Sequence, residues 1–218
     1  MICGIDESGR GPVFGPLVIT GIKFYNDQIL LELNVKDSKK TSPKRRKFLA
    51  DIIKKNAVDY EVLMIRAKDI DDMRKVMTLN EIELNAYAKI IKKLKPDVCY
   101  VDSVDVNEQR FGRDIQSGLT FKCEIVSKHK ADDIYPIVSA ASIVAKTARD
   151  AEIEKIAKKL EPRLNLPLGS GYPADPITQK FLKTWIGKYK TLPPYTRRSW
   201  KTVQNILRQK SIKKLDDF

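Results

Sequence analysis

The residue pattern of this 218-residue chain predicts a mixed-sheet α/β layer fold. Short apolar or β-branched runs bounded by turn residues occur five times, and stripes of helical period lie between and after them. Strand pairs come first along the chain, with helices following. The five strands are expected at 2–5, 17–24 (LVITGIKF), 60–66, 98–101 and 121–126. Thr41-Ser42-Pro43 offers an N-cap with proline in the first turn, after which Phe48, Leu49, Ile52 and Ile53 recur on one face. A second helix opens on a capping box, Thr78 with Glu81. Its stripe is Leu79, Ile82, Ile90, Ile91 and Leu94, and it stops near Pro96. Two more helices are expected over 138–161 and 176–189, the latter opened by Asp175-Pro176. The stretch from Ser199 to Leu215 reads as a basic amphipathic helix with Trp200, Val203 and Leu207 on one side.

Hydrophobic residues make up 42% of the chain, enough for one good-sized core with an appendage. The expected division is a main domain over 1–192 and a helical extension over 193–218. The longest apolar stretches, such as 136–145 (PIVSAASIVA), fall short of the ~20 residues that cross a bilayer. The structured pattern begins at Ile2 without a charged leader, so a soluble protein without a secretion signal is expected. Cys3, Cys99 and Cys123 are odd in number and set in apolar runs, which suits reduced, buried thiols and a cytosolic location. A monomer is the expected state.

Charge narrows the function. Lys and Arg number 41 against 28 Asp and Glu, a net +13, which implies a polyanionic partner. The charge is clustered: seven basic residues and no acidic one lie between Arg197 and Lys214, and KDSKKTSPKRRK (36–47) carries a single Asp.

Within this basic chain, acidic residues stand at the ends of apolar strands, where an unpaired carboxylate is costly. They are Asp6 and Glu7 ending GIDE, Asp102 ending VCYVD, and Asp132-Asp133 in KHKADDIYP before a long helix. If the first and fourth strands are adjacent and parallel, their carboxyl ends share the sheet edge where α/β folds place their sites. Carboxylates gathered there repel one another without cations, and hard oxygen donors suit Mg²⁺ or Mn²⁺. A metal pair ~4 Å apart held this way activates water and stabilises the leaving oxygen of an in-line phosphoryl displacement. Successive strand residues point to opposite faces, so Glu7 is expected where the strand has ended and the following turn begins. The single histidine, His129, excludes a multi-His metal site; it orders a loop or assists leaving-group protonation. There is no P-loop and no Ser/His/Asp arrangement. Five of the ten glycines sit in two loops, Gly9, Gly11 and Gly15 after the first strand and Gly169 and Gly171 in LGSGYP, which allow positive φ or close approach of a ligand.

These residues resemble the type 2 ribonucleases H, specifically archaeal-style ribonuclease HII. The matching stretches are GIDESGRGPVFGPLV (4–18), KDSKKTSPKRR (36–46), TLNE (78–81), YVDSVDV (100–106), KHKADDIYPIVSAASIVAKTARD (128–150) and GSGYPADP (169–176). The resemblance implies a ribonuclease H-like mixed five-stranded sheet flanked by helices, with a C-terminal helical extension. It implies an endonuclease that cuts the RNA strand of RNA/DNA hybrids and cuts at single ribonucleotides in duplex DNA, leaving 5′-phosphate and 3′-hydroxyl ends. The family's four metal-binding, catalytic acids fall on Asp6, Glu7, Asp102 and Asp132, with Asp133 left to bond locally at a helix start. Gly9, Arg10 and Gly11 match the turn whose backbone contacts the ribose 2′-hydroxyl, and Tyr172 matches the tyrosine that packs on the sugar. Lys39, Lys40, Asn80, Ser103 and Lys146 match positions that hold phosphates or sugar edges.

The terminal Leu215-Asp216-Asp217-Phe218 resembles the hydrophobic end of a sliding-clamp-binding peptide, so residues 211–218 are a candidate clamp contact. Ile212 stands where that motif has glutamine. Two rival readings are a ribonuclease HIII and a non-catalytic basic nucleic-acid-binding module. Against the first, the motif starts at Gly4, leaving no room for the extra N-terminal domain; against the second, all four acidic positions are present.

Overall fold

A computed structural model describes residues 1–35 and 42–215, with side chains described through residue 208. Lys39, Lys40, Thr41 and residues 216–218 lie outside the described residues. Strands β1 (Ile2–Ser8), β2 (Leu17–Phe24), β3 (Asp59–Ile65), β4 (Val98–Asp102) and β5 (Glu124–Lys128) form one sheet in the order β3-β2-β1-β4-β5. β1 pairs antiparallel with β2 and parallel with β4, and β4 pairs parallel with β5. The mixed five-stranded sheet is therefore as expected, with two changes at strand ends. β1 runs on to Ser8 because β2 carries its ladder through Ser8↔Val18, after β4 has stopped at Ile5↔Val101. β5 begins only at Glu124.

The helices are α1 (Gln28–Glu32), α2 (Pro43–Asn56), α3 (Ala67–Met73), α4 (Leu79–Leu94), α5 (Glu108–Ser117), α6 (Ala131–Ile134), α7 (Pro136–Leu164), α8 (Pro176–Tyr189) and α9 (Lys201–Leu215). Their starts follow local chemistry. Ser42 accepts from the Arg45 N–H ahead of Pro43, Thr78 and Glu81 close the capping box, and Asp175 accepts from the Ile177 N–H. Two stripes differ from expectation. In α2 the buried set is Leu49, Ala50 and Ile53, while Phe48 is 60% exposed. In α9 Val203 and Ile206 are buried and Leu207 is not, because the packed positions are three apart. Among the described residues no helix is long and apolar enough to cross a membrane.

The chain divides into two compact units. The first comprises residues 1–8, 18–64 and 77–149 and holds the sheet. On one face of β1 and β2 the first half of α7 joins α2 in a core of Ile22, Phe24, Ile53, Ile137 and Val138. α7 comes so close that a Cβ on Gly4 would lie 2.3 Å from the Ile137 carbonyl oxygen. α4 covers the opposite face, where a Cβ on Gly21 would lie 2.3 Å from Ile90 Cγ2. Cys3, Cys99 and Cys123 are buried free thiols in this unit. Burial pushes Cys99 well up and Cys123 to about 11.

The second unit comprises residues 9–17, 65–76 and 150 onward. Its core gathers Phe14, Leu160, Phe181, Trp185 and Val203, with Phe14 and Phe181 edge to face at 6.1 Å. The glycine-rich segment after β1 is stitched into it by backbone bonds from the Val13 N–H to the Gly171 carbonyl (2.7 Å) and from the Arg197 N–H to the Val13 carbonyl (2.8 Å).

Gly4→Ala tests the close packing of α7 on β1. The methyl meets helix backbone that cannot swing aside, and a loss of about 3 kcal/mol in urea unfolding is expected. An unchanged midpoint would show that α7 stands further off.

Candidate active site

The last register pair shared by β1 and β4 is Ile5↔Val101, so the next residues, Asp6 and Asp102, emerge side by side where β4 ends. One carboxylate oxygen from each of Asp6, Glu7 and Asp102 lies within 4.8 Å of the other two. Glu7 reaches this group from inside β1, opposite Ile19 of β2, and not from a turn beyond the strand as the sequence led us to expect. The pleat still sends Asp6 and Glu7 to opposite faces. Asp6 lies on the α7 side, where the Ser142 hydroxyl bonds to it, and Glu7 lies on the α4 side, where Tyr87 Oη donates to Glu7 Oε2 at 2.8 Å. Both carboxylates converge because β1 past Ile5 has lost its β4 neighbour, so its flank is open to both faces.

Electrostatics make the group unstable as three bare anions. Asp6 is only 5% exposed, and its carboxyl is pushed well above the usual carboxylate range. Burial is the largest cause, followed by the Glu7 charge; the Ser142 hydrogen bond opposes them, and the charges of Asp102 and Asp132 add to the rise. Asp102 is held by the Ala131 N–H, which donates to its Oδ1 at 2.7 Å. Three hard oxygen donors, one of them buried and repelled by the others, form a set that fits a small divalent cation.

The other expected residues are placed variously. Asp132 stands half-buried in α6, outside the trio but near enough for its charge to raise Asp6. Asp133 is exposed, with its N–H on the Lys130 carbonyl. Lys146 Nζ donates to Ser142 Oγ at 2.7 Å, so a lysine expected on substrate is linked through Ser142 to Asp6. Ser103 directly follows Asp102, is 9% exposed and donates to the Asp105 carbonyl. Asn80 sits half-buried in the first turn of α4. His129 lies by the Val106 carbonyl, and its N–H bonds Glu108, which orders the loop before α5.

Three residues of this site escaped the sequence reading. Tyr87 is fully buried, also reaches the Asp102 carbonyl oxygen at 3.4 Å, and packs edge to face on Phe111. Burial and the Glu7, Asp6 and Glu83 charges hold its phenol well above its usual range, so it is a hydrogen-bond donor at neutral pH. Ser142 is fully buried beside Asp6, and Glu83 is fully buried one turn before Tyr87. A glutamate and a tyrosine four apart on the apolar stripe of α4 were the available signal.

In the second unit, Gly9 adopts φ +87°, as a glycine loop allows. Gly11 faces the Tyr172 ring, whose nearest carbon would be 3.6 Å from an added Cβ. Tyr172 is 44% exposed on a loop fixed by Asp175, which accepts from the Ser170 N–H and hydroxyl and is drawn down to about 2 by those bonds. Arg197, which opens the basic cluster taken to imply a polyanionic partner, is instead fully buried: Nη2 donates to the Gly9 carbonyl at 2.6 Å, Nη1 to the Arg10 carbonyl at 3.0 Å and Nε to the Gly15 carbonyl at 3.0 Å. Trp200 Nε1 donates to the Gly11 carbonyl at 2.9 Å.

Comparison with known proteins agrees with this architecture. Residues 3–203 match the family model described as Ribonuclease HII. The chain is 44% identical over 218 residues to the ribonuclease HII of Methanoregula boonei, with both chains covered in full. The ribonuclease H2 from Pyrococcus horikoshii OT3 superimposes with a TM-score of 0.88 at 40% identity, covering 95% of this chain and 97% of that one. The matched chain of the PCNA:RNase HII complex from Archaeoglobus fulgidus gives 0.88 at 44% identity, with both chains covered in full. With the sheet order, the acids at the end of β4 and similarity over the whole length all in accord, the chain belongs to the ribonuclease HII family and is a ribonuclease H.

Proposed function

We propose that the enzyme hydrolyses the RNA strand of RNA/DNA hybrids and cuts on the 5′ side of single ribonucleotides in duplex DNA, leaving 5′-phosphate and 3′-hydroxyl ends. The observation that carries this reading is the convergence of Asp6, Glu7 and Asp102 oxygens within 4.8 Å in a chain of this family. In this proposal these three acids, with Asp132, hold Mg²⁺ or Mn²⁺. When bound, a pair of such ions supplies an oriented nucleophilic water and charge stabilisation of the departing 3′-oxygen. The protein's own groups set the geometry: Tyr87 and Ser142 fix the Glu7 and Asp6 carboxylates by hydrogen bonds, and the α6 N–H fixes Asp102. Lys146, Asn80 and Ser103 contact the nucleic-acid backbone, as do Lys39 and Lys40. The burial of Asp6 weighs against a purely structural role for the acids, because a buried carboxylate crowded by like charges and given no cation only destabilises the fold.

Selectivity for RNA is assigned to the Gly9-Arg10-Gly11 turn and Tyr172. Groups built to meet a 2′-hydroxyl are left unpaired by deoxyribose, which penalises the wrong sugar more than charge attraction favours it. All-DNA duplex is therefore bound through phosphates and left uncut, with affinity falling steeply as salt rises. Residues 211–218 are proposed to contact a sliding clamp, supported by the likeness to the Archaeoglobus fulgidus relative in its complex with PCNA.

Asp102→Asn, incubated with a labelled duplex bearing one ribonucleotide and Mg²⁺, should cleave at below about one thousandth of the wild-type rate while still binding the duplex. Loss of both activities in a folded variant contradicts the assignment. Gly11→Ala should fold normally, since its Cβ meets only the Tyr172 ring at 3.6 Å. It should nonetheless lose cleavage about 100-fold, because a ligand approaching the turn meets the methyl. Tyr172→Phe should lose about 10-fold at a single ribonucleotide. Wild-type rates in both would remove the turn and the tyrosine from substrate recognition. Deleting residues 211–218 should abolish retention on immobilised clamp; undiminished retention retires that contact.

A further inference from the structure

Every carbonyl oxygen of the Gly9-Arg10-Gly11 turn is taken by a donor from the segment before α9. The fully buried Arg197 guanidinium supplies bonds to Gly9 and Arg10, and Trp200 Nε1 bonds Gly11. A third guanidinium bond, to Gly15, anchors the same fork at the far end of the loop. The fork and the indole are themselves stacked, with the guanidinium carbon 4.7 Å from the Trp200 ring centroid, so neither donor moves independently. Asp71 of α3 holds the backbone between them: its carboxylate accepts from the Arg198 and Ser199 N–H groups at 2.8 and 2.9 Å.

The consequence for the turn follows from peptide planarity. In a trans peptide the N–H points opposite to the C=O of the same unit. With the Gly9 and Arg10 carbonyls aimed at the guanidinium, the Arg10 and Gly11 N–H groups must point away from it, and residue 12, a proline, has no N–H to offer. The turn therefore presents adjacent backbone donors in one fixed direction, and the positive charge behind the carbonyls polarises those same peptides and strengthens their N–H groups. Buried arginine at this place is costly unless its donors are satisfied. The bonds it makes run to the segment whose backbone direction decides which ligand atoms are accepted.

We propose that Arg197 and Trp200 are positioning residues for sugar discrimination: Arg197, by fixing the Gly9 and Arg10 carbonyls, aims the Arg10 and Gly11 N–H groups at the ribose hydroxyl, and Trp200, by pinning the Gly11 carbonyl, holds in place the residue that carries the second of them. This rests on the reading of that turn as the ribose contact. Neither residue touches the substrate. Each acts through the turn, so its loss weakens preference for RNA without weakening phosphate attraction.

The test measures affinity, without divalent metal, for two duplexes of one sequence, one carrying a single ribonucleotide and one all DNA, by fluorescence anisotropy. Wild type, Trp200→Phe and Arg197→Lys are compared, each with its thermal melt. Trp200→Phe keeps the ring and removes one donor, so it should fold and reduce the ribose-over-deoxyribose affinity ratio about 3- to 10-fold, with all-DNA affinity unchanged. Arg197→Lys keeps the charge and loses the fork, and if folded should reduce the ratio further. A ratio that survives intact in folded Trp200→Phe overturns the inference, as does an equal loss on both duplexes, which a merely structural role would give. Should Arg197→Lys not fold, Trp200→Phe decides alone. A wild-type protein that binds both duplexes equally overturns the parent reading of the turn, and this inference with it, which separates that failure from the others.

Discussion

Three carboxylates that repel one another, one of them buried, are held together at the end of β4, and the architecture of the first unit serves to keep them there. The parallel register of β1 and β4 sets Asp6 and Asp102 next to each other. The early end of that pairing lets Glu7 join from the other face of β1. The two helices then secure one acid each: α7, drawn onto the strand by the bare backbone at Gly4, brings Ser142 to Asp6, and α4 brings Tyr87 to Glu7. Such an arrangement is costly to a folded protein and productive only with a cation, which is the usual trade between stability and function at a catalytic centre.

A different device operates in the second unit. The three glycines of the loop after β1 leave it little intrinsic preference for one conformation. It is made rigid from outside by a buried guanidinium and an indole, with Phe14 inserted into the core as an anchor. Arginine suits the task and lysine does not, because a planar fork satisfies several carbonyls at once in a fixed geometry.

Much of the architecture was legible in the sequence, and the exceptions have physical reasons. Strand positions and the capped starts of α2, α4 and α8 follow from local signals, and local signals survive folding. The grouping of Asp6 with Asp102 was legible because strand order and direction follow from few rules. The position of Glu7 was not: its reach depends on β1 outrunning β4, and strand ends are set by pairing partners far away in sequence. Tyr87 and Ser142 look like ordinary members of apolar stripes until the helices are docked. Arg197 was misread for the opposite reason, since a basic cluster predicts charge but not which member is buried. The helices α1, α3 and α6 are short and carry little periodicity, whereas α5 was readable, with Asn107 as its cap and Phe111 and Ile115 four apart, and was missed.

Whether the acid group at the end of β4 is a divalent-ion cradle is decided by anomalous diffraction from crystals soaked in Mn²⁺. An anomalous peak is expected within coordination distance of Asp6, Glu7 and Asp102 together, absent from crystals of the metal-free protein. Manganese bound only elsewhere, with the three carboxylates unmoved and unliganded, would contradict it.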